Sequence, residues 1–285
     1  MNEVGNKYRN LINAALEEDI GTGDHSTLSV IPKGATGRVV LNIKEDGLLA
    51  GMEVAECILR TLDPAINFVP FKKDGDRMRV GDQAFEAQGL VHALLKGERL
   101  LLNCMQRMSG IATLTASYVE KIRGYDTKIL DTRKTTPNFR LLEKEAVRIG
   151  GAVNHRFGLY DMIMLKDNHI DFAGGIEKAI VMADQYRKVH GLAIPIEVEA
   201  RSLEDVSVVC RVGVDKVFRI MLDNFTPDLI SQAINIIGNQ FETEASGGIN
   251  LDNIESFAST GVNYVSIGAL IHHAVSLDLS LKAVK

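Results

Sequence analysis

The sequence predicts an α/β fold, an incomplete or closed parallel α/β barrel of about six βα units preceded by a smaller α+β domain. Two observations carry the barrel. After residue 125, short apolar runs at 127–130, 162–165, 194–198, 216–222, 241–245 and 263–267 alternate with stretches of helical spacing at 138–149, 175–190, 202–212, 226–237, 251–259 and 269–281. Such β–α repeats make a parallel sheet with right-handed crossovers, and this many of them favour a ring over an open sheet. An open doubly wound sheet would also carry a G-x-G-x-x-G loop, and none follows a predicted strand. The second observation is that every one of these strands runs into a polar residue or a glycine: Asp131, Lys166, Glu199, Asp223, Ser246 and Gly268. In a barrel those are the carboxyl ends, where function collects.

The earlier part of the chain has a different rhythm. Residues 7–18 have the spacing of an amphipathic helix and end at the turn Gly21-Thr22-Gly23-Asp24. Strand-like stretches at 37–44, 66–71 and 77–92 are broken by turns at Asp74-Gly75 and Gly81-Asp82, with helical spacing over 51–62 between them. A long helix is expected over 97–122, its apolar positions Leu100, Cys104, Met108, Ile111, Tyr118 and Ile122 three or four apart or at multiples of that spacing. Arg107 falls on the apolar side of this helix. A charge there needs a partner or a ligand, unless its stem packs and its head reaches water. The domains are expected at 1–112 and 113–274, with the tail 275–285 packed on the first.

Composition excludes several classes. The 285 residues are 46% hydrophobic and 24% charged, a globular balance with ample material for a core. No apolar run reaches the roughly 18 residues that span a bilayer, and the first residues hold no apolar signal core. Cys57, Cys104 and Cys210 are far apart and odd in number, which fits free thiols in a reducing compartment. A net charge of −5 argues against nucleic acid and anionic membranes as partners. The chain is expected to be cytoplasmic.

Within that acidic chain, residues 131–166 hold seven cations against four acids. Arg140, Lys144 and Arg148 stand four apart on a predicted helix, interleaved with Glu143 and Glu145, and read as a solvated face with helix ion pairs. Arg133, Lys134, Arg156 and Lys166 instead flank strand ends and turns. Arginine offers planar bidentate donors to carboxylate or phosphate, and lysine adds a movable charge. Several such groups in one mouth repel one another until a multiply charged anion arrives. His155, beside Arg156, is drawn into that reading, although a lone histidine is more often structural. Glu199 and Asp223 suit a metal such as Mg²⁺ held largely through ligand phosphates, or the stabilisation of a developing cation. Glu197 and Glu199 also read as barrel-interior partners of the lysines. The turns Ser246-Gly247-Gly248 and Ile267-Gly268-Ala269 present backbone N–H groups where barrels often hold phosphate.

Three motifs now carry a resemblance. Leu130-Asp131-Thr132-Arg133-Lys134-Thr135-Thr136-Pro137, Gly150-Gly151-Ala152-Val153-Asn154-His155-Arg156-Phe157-Gly158-Leu159 and Lys166-Asp167-Asn168-His169-Ile170 resemble the quinolinate phosphoribosyltransferase family, also called nicotinate-nucleotide pyrophosphorylase (carboxylating). Met108-Ser109-Gly110-Ile111-Ala112-Thr113, Ile196-Glu197-Val198-Glu199 and Ile220-Met221-Leu222-Asp223-Asn224 extend it along nearly the whole chain, in order. The resemblance implies transfer of phosphoribose from phosphoribosyl pyrophosphate to quinolinate, with Mg²⁺, in a homodimer. The products are nicotinate mononucleotide, pyrophosphate and CO₂. It also implies roles. Arg133, His155, Arg156 and Lys166, with Thr132, bind quinolinate, and Lys134 lies between quinolinate and the sugar phosphate. Glu199 and Asp223 face the ribose and its metal. Ser246, Gly247, Gly248, Ile267, Gly268, Ala269 and His272 hold the 5′-phosphate, and Arg107 enters the neighbouring subunit's site. Ile271 departs from the threonine common in the family, which loosens the expectation for His272. Two rivals stand beside this reading: a phosphoribosyltransferase of the molybdenum-locus type with another substrate, and a Schiff-base barrel aldolase using Lys134 or Lys166.

Overall fold

The computed structural model describes residues 7–284. In chain order the elements are α1 (Arg9–Ile20), α2 (His25–Val30), β1 (Thr36–Ile43), β2 (Gly47–Leu48), α3 (Met52–Leu62), β3 (Asn67–Pro70), β4 (Arg77–Met78), β5 (Gln83–Leu90) and α4 (Val91–Lys121). Next come β6 (Lys128–Leu130), α5 (Arg140–Ile149), β7 (Ile163–Leu165), α6 (Asp167–Ala173), α7 (Ile176–Val189), β8 (Ile196–Ala200), α8 (Leu203–Val212) and β9 (Arg219–Asp223). The chain ends with α9 (Pro227–Ile237), β10 (Glu242–Ser246), α10 (Ile254–Ala258), β11 (Tyr264–Ser266), α11 (Ala269–His272) and β12 (Leu279–Val284). Two compact units emerge: residues 1–116, 135–151 and 271–285 form one, residues 117–134 and 152–270 the other.

The first unit is built on an antiparallel sheet in the order β12-β1-β5-β3. Its last strand corrects the helix expected to 281. The helical stretch stops after four residues, and β12 pairs with β1 from Leu279 against Ile43 to Val284 against Arg38. Leu277, Leu279 and Leu281 are buried and alternate with Asp278 and Ser280. That is the period of a strand with one covered face, which the helical count overlooked. Helix α4 packs closely on the segment leading to β12: a Cβ at Gly110 would run into the Val275 carbonyl, so only glycine fits. Helix α5 corrects a second expectation. Lys144 is 1% exposed and Glu143 is fully buried, so the three-cation ladder is not a solvated face. Arg148 alone of the three is exposed, paired with Glu145.

The second unit is a six-stranded parallel sheet in the order β6-β11-β10-β9-β8-β7. Read as a ring, this is the order of the chain itself, with β11 returning to pair with β6 (Tyr264 against Lys128). The ring is not closed: among the described residues β6 and β7 share no ladder. Val153 stands in the seam as an isolated parallel bridge to Leu130. Helices follow the strands as predicted, with Ser202 capping α8 and Thr226 capping α9 ahead of Pro227. The buried strand residues are not only aliphatic. Val198, Ile220, Leu222 and Val265 are fully covered, but so are Glu197 and Glu244, with Arg219 nearly so.

Candidate active site

The first strand end sets the pattern. Asp131, directly after β6, is fully buried, and its Oδ1 accepts the main-chain N–H of His155 at 2.8 Å. Asp131 N–H in turn donates to the Val153 carbonyl at 3.2 Å. These bonds pin the Asn154-His155-Arg156 segment to the strand. Thr132 Oγ1 accepts the N–H of Lys134 at 3.0 Å, turning the chain so that Arg133 and Lys134 stand exposed. Lys166 is exposed at the end of β7, its main-chain N–H donating to His169 Nδ1 at 3.1 Å. Arg156 is half-buried and donates to the Met162 carbonyl at 3.2 Å. Burial holds its pKa below the ordinary guanidinium value, and so does the charge of Arg133. Among the described residues no salt bridge includes Arg133, Lys134, Arg156 or Lys166.

A group of opposite charge lies on the later strands. Glu199 is nearly buried, and its carboxyl is pushed above the usual range by burial and then by Asp223; Lys166 pulls the other way. Glu199 Oε1 faces the main-chain N–H of Asp167 at 3.4 Å. Asp223 is held at both oxygens: Oδ1 accepts from Ser246 Oγ and Oδ2 from Asn224 Nδ2, each at 2.6 Å. All three strand-end groups, Glu199, Asp223 and Ser246, are within their strands rather than past them. Gly247 has φ 96°, and a Cβ there would collide with the Asn224 side chain. The turn therefore requires glycine at that position, which leaves its backbone N–H groups approachable. Ile267 is buried and donates its N–H to the Leu130 carbonyl at 3.0 Å, setting Gly268 and Ala269 at the start of α11.

His155 has a different place from the expected one. Its side chain is 6% exposed; Nε2 lies 3.0 Å from Glu197 Oε2 and 3.4 Å from Glu244 Oε2. Nδ1 accepts the main-chain N–H of Arg156 at 2.7 Å. Nε2 thus faces the two buried carboxylates and Nδ1 the main chain of Arg156. Glu197 pairs with this histidine and not with a lysine, as the alternation of strand residues alone could not tell.

Glu199 and Asp223 fit a hard divalent cation. They offer carboxylate oxygens, the donor type Mg²⁺ selects, and their mutual repulsion is what a cation would relieve.

Comparison with known proteins decides the family. Residues 24–109 match the quinolinate phosphoribosyl transferase N-terminal domain and residues 111–282 the C-terminal domain. The chain belongs to the quinolinate phosphoribosyltransferase family. It is 42% identical over 275 residues to the probable nicotinate-nucleotide pyrophosphorylase (carboxylating) of Bacillus subtilis, covering 96% of this chain and 93% of that one. It is 41% identical over 285 residues to the chloroplastic nicotinate-nucleotide pyrophosphorylase of rice, covering 95% and 76%. The crystal structure of NadC from Streptococcus pyogenes superposes with a TM-score of 0.91 at 41% identity, with both chains covered completely.

Within this family member, two expected site residues are in the first unit. His272 is exposed and meets the His273 ring edge-on at 4.5 Å between centroids. Arg107 is committed to its own chain. Nε and Nη2 donate to Glu143 Oε1 at 3.1 and 2.9 Å, and Nη1 and Nη2 donate to the carbonyls of Ala274 and Ile271, each at 2.8 Å. A guanidinium so used has little left to offer a neighbouring subunit. The helix carries one other arginine, Arg99, which is exposed.

Proposed function

We propose that this chain transfers phosphoribose from phosphoribosyl pyrophosphate to quinolinate and decarboxylates the adduct, forming nicotinate mononucleotide, pyrophosphate and CO₂ for NAD biosynthesis. What supports it is the placing of Arg133 and Lys166 just past the ends of β6 and β7, with Arg156 between them in the chain, and of Glu199 and Asp223 at the ends of β8 and β9. Arg133, Arg156 and Lys166 are the carboxylate clamp, with Thr132 shaping its turn. Clamping both carboxylates aligns the ring nitrogen for attack on the sugar carbon. As the bond to pyrophosphate breaks, positive charge grows on the ribose, and Glu199 and Asp223 stabilise it. Lys134 stands between the two substrates and meets phosphate charge.

Mg²⁺, held by Glu199 and Asp223 and largely by ligand phosphates, would supply neutralisation of the departing pyrophosphate. The turns at Ser246-Gly247-Gly248 and Gly268 receive the 5′-phosphate by backbone N–H groups, with His272 in the weaker role its exposure permits. After attack the ring nitrogen is a pyridinium, which takes the electron pair left as CO₂ departs. The carbon then takes a proton. No covalent nucleophile on the protein is needed.

The active form is a homodimer, and Arg107, the arginine that the resemblance sends into the neighbouring site, is held by Glu143 and by two carbonyls of its own chain. Cytoplasmic residence is supported by the free thiols of Cys57, Cys104 and Cys210. The aldolase reading loses support because Lys134 and Lys166 are exposed, whereas a Schiff-base lysine is activated by an apolar pocket or a close cation. The molybdenum-locus reading has no matching observation. Incubation with quinolinate, phosphoribosyl pyrophosphate and Mg²⁺, followed by assay of nicotinate mononucleotide and pyrophosphate, tests the function. Failure to form either product overturns it.

A further inference from the structure

The parallel sheet buries charge that the reaction above does not use. Glu197 on β8 and Glu244 on β10 are fully covered. Arg219 of β9, the strand between them, donates Nη1 to Glu244 Oε2 at 2.9 Å. Its Nε and Nη2 turn to Glu242 Oε2 at 3.2 and 2.8 Å, and its guanidinium lies 4.1 Å from the Tyr264 ring centroid. One guanidinium therefore serves Glu242 and Glu244. Glu197 is left to His155, whose Nε2 reaches both buried carboxylates.

A buried carboxylate keeps its charge only beside a cation, and losing that cation is costly. The imidazole is the cation this arrangement calls for. From the other side, the main-chain N–H of Arg156 points at Nδ1 and opposes a second proton there. One neutral hydrogen bond is weaker than two charge-assisted contacts, so the carboxylates prevail. They lift the imidazole to about 9 against the opposing effect of burial. Around the ring stand Glu197 from β8, Glu244 from β10 with Arg219 of β9 beyond it, and Arg156 N–H at Nδ1, with Asp131 holding the main-chain N–H.

We propose that Glu244, acting with Glu197, is a positioning residue that holds the His155 ring as a fixed positive charge behind Arg156. His155 then serves quinolinate indirectly. It adds charge beneath the anion mouth, while Asp131 Oδ1, accepting the His155 main-chain N–H, fixes the segment that presents Arg156. This rests on the reading of the strand ends proposed above. The ligand atoms of His155, Glu197 and Glu244 lie within 4.8 Å of one another, a spacing a divalent ion could use. The guanidinium 2.9 Å from Glu244 makes that the poorer reading, because it already supplies the cation.

Two measurements on the full chain test the proposal. In ¹⁵N-histidine NMR, with His155 assigned by difference from His155→Gln, both ring nitrogens are expected to be protonated at about pH 7.5. In the Glu197→Gln, Glu244→Gln double variant the ring becomes a neutral tautomer. In steady-state kinetics Glu244→Gln raises KM for quinolinate roughly tenfold, while KM for phosphoribosyl pyrophosphate moves less than about twofold. A general folding defect would move both. A neutral His155 in the wild type, an unchanged quinolinate KM in folded Glu244→Gln, or His155 resonances that shift on adding a chelator would overturn it. Should Glu244→Gln not fold, the wild-type spectrum still decides. Should the wild type form no nicotinate mononucleotide, the functional reading falls, and the spectrum judges the Glu244–His155 pairing separately.

Discussion

Arg107 donates twice to one oxygen of Glu143, from Nε at 3.1 Å and from Nη2 at 2.9 Å. Glu143 is fully buried and also accepts the main-chain N–H and the hydroxyl of Thr136, at 2.8 and 2.9 Å. Removing the arginine would strand a buried charge. Arg107→Ala is expected to lower the unfolding free energy by roughly 2–4 kcal/mol, below the usual cost of breaking a fully buried pair because the Arg107 side chain is 24% exposed. Arg107→Lys should recover less than about half, since lysine lacks the fork that reaches Glu143 and two carbonyls together. Urea titration decides; a loss under about 0.5 kcal/mol would mean that water reaches Glu143 freely.

Arg133→Ala and Lys166→Ala separate binding from folding. Both side chains are exposed, so stability should change by less than about 0.5 kcal/mol. Each loses a charge-assisted contact to a carboxylate, and kcat/KM for quinolinate should fall about 100-fold or more. Near-normal turnover by either variant would remove that residue from the clamp.

Glu199 sets function against stability. Its folded-state pKa is raised, so folding favours the protonated carboxyl, and the ionised form costs stability once pH exceeds the unfolded value. Glu199→Gln should therefore make the protein more resistant to denaturant at neutral pH than the wild type, with the gain shrinking as pH falls below the usual carboxylate range. The same change should lower kcat about 100-fold or more. Wild-type turnover should also begin to fail at a pH above the ordinary glutamate range. A variant both less stable and fully active would contradict both halves.

His155 gives the opposite sign. Its pKa is raised from 6.5 to about 9, so its contribution to stability is fully present below 6.5 and is lost as pH rises through about 9. The unfolding free energy of the wild type should decline over that window. In His155→Gln the decline should be absent, by urea titration at a series of pH values.

Much of this was open to a reader of the sequence. The six-fold alternation of strand and helix follows from backbone periodicity, and strand ends are fixed once strands are found, so Arg133, Lys166, Glu199 and Asp223 could be placed early. Other features depend on partners remote in the chain. Lys144 reads as a surface cation until α5 is seen to bury it, and no local pattern reports that. Arg107 was visibly out of place on its helix, but Glu143 and the carbonyls of Ile271 and Ala274 were not visible as its partners. His155 was identified as a site residue, while the direction of its ring depends on Glu197 and Glu244 from strands 42 and 89 residues further on. Helical counting misled at the C-terminus, where three alternating leucines made a strand.

The seam between β6 and β7 has a dynamic consequence. A completed ring protects every strand on both sides, whereas here β7 is laddered only to β8, and β6 beyond β11 has only the Val153 bridge. Amides of these two strands should exchange with deuterium ahead of those in β9 and β10, because opening them breaks fewer bonds. Asp131 and Lys166 cap those two strands. The part of the ring expected to open first is therefore the part proposed to carry the anion clamp, which would let substrate enter without loosening β9 and β10.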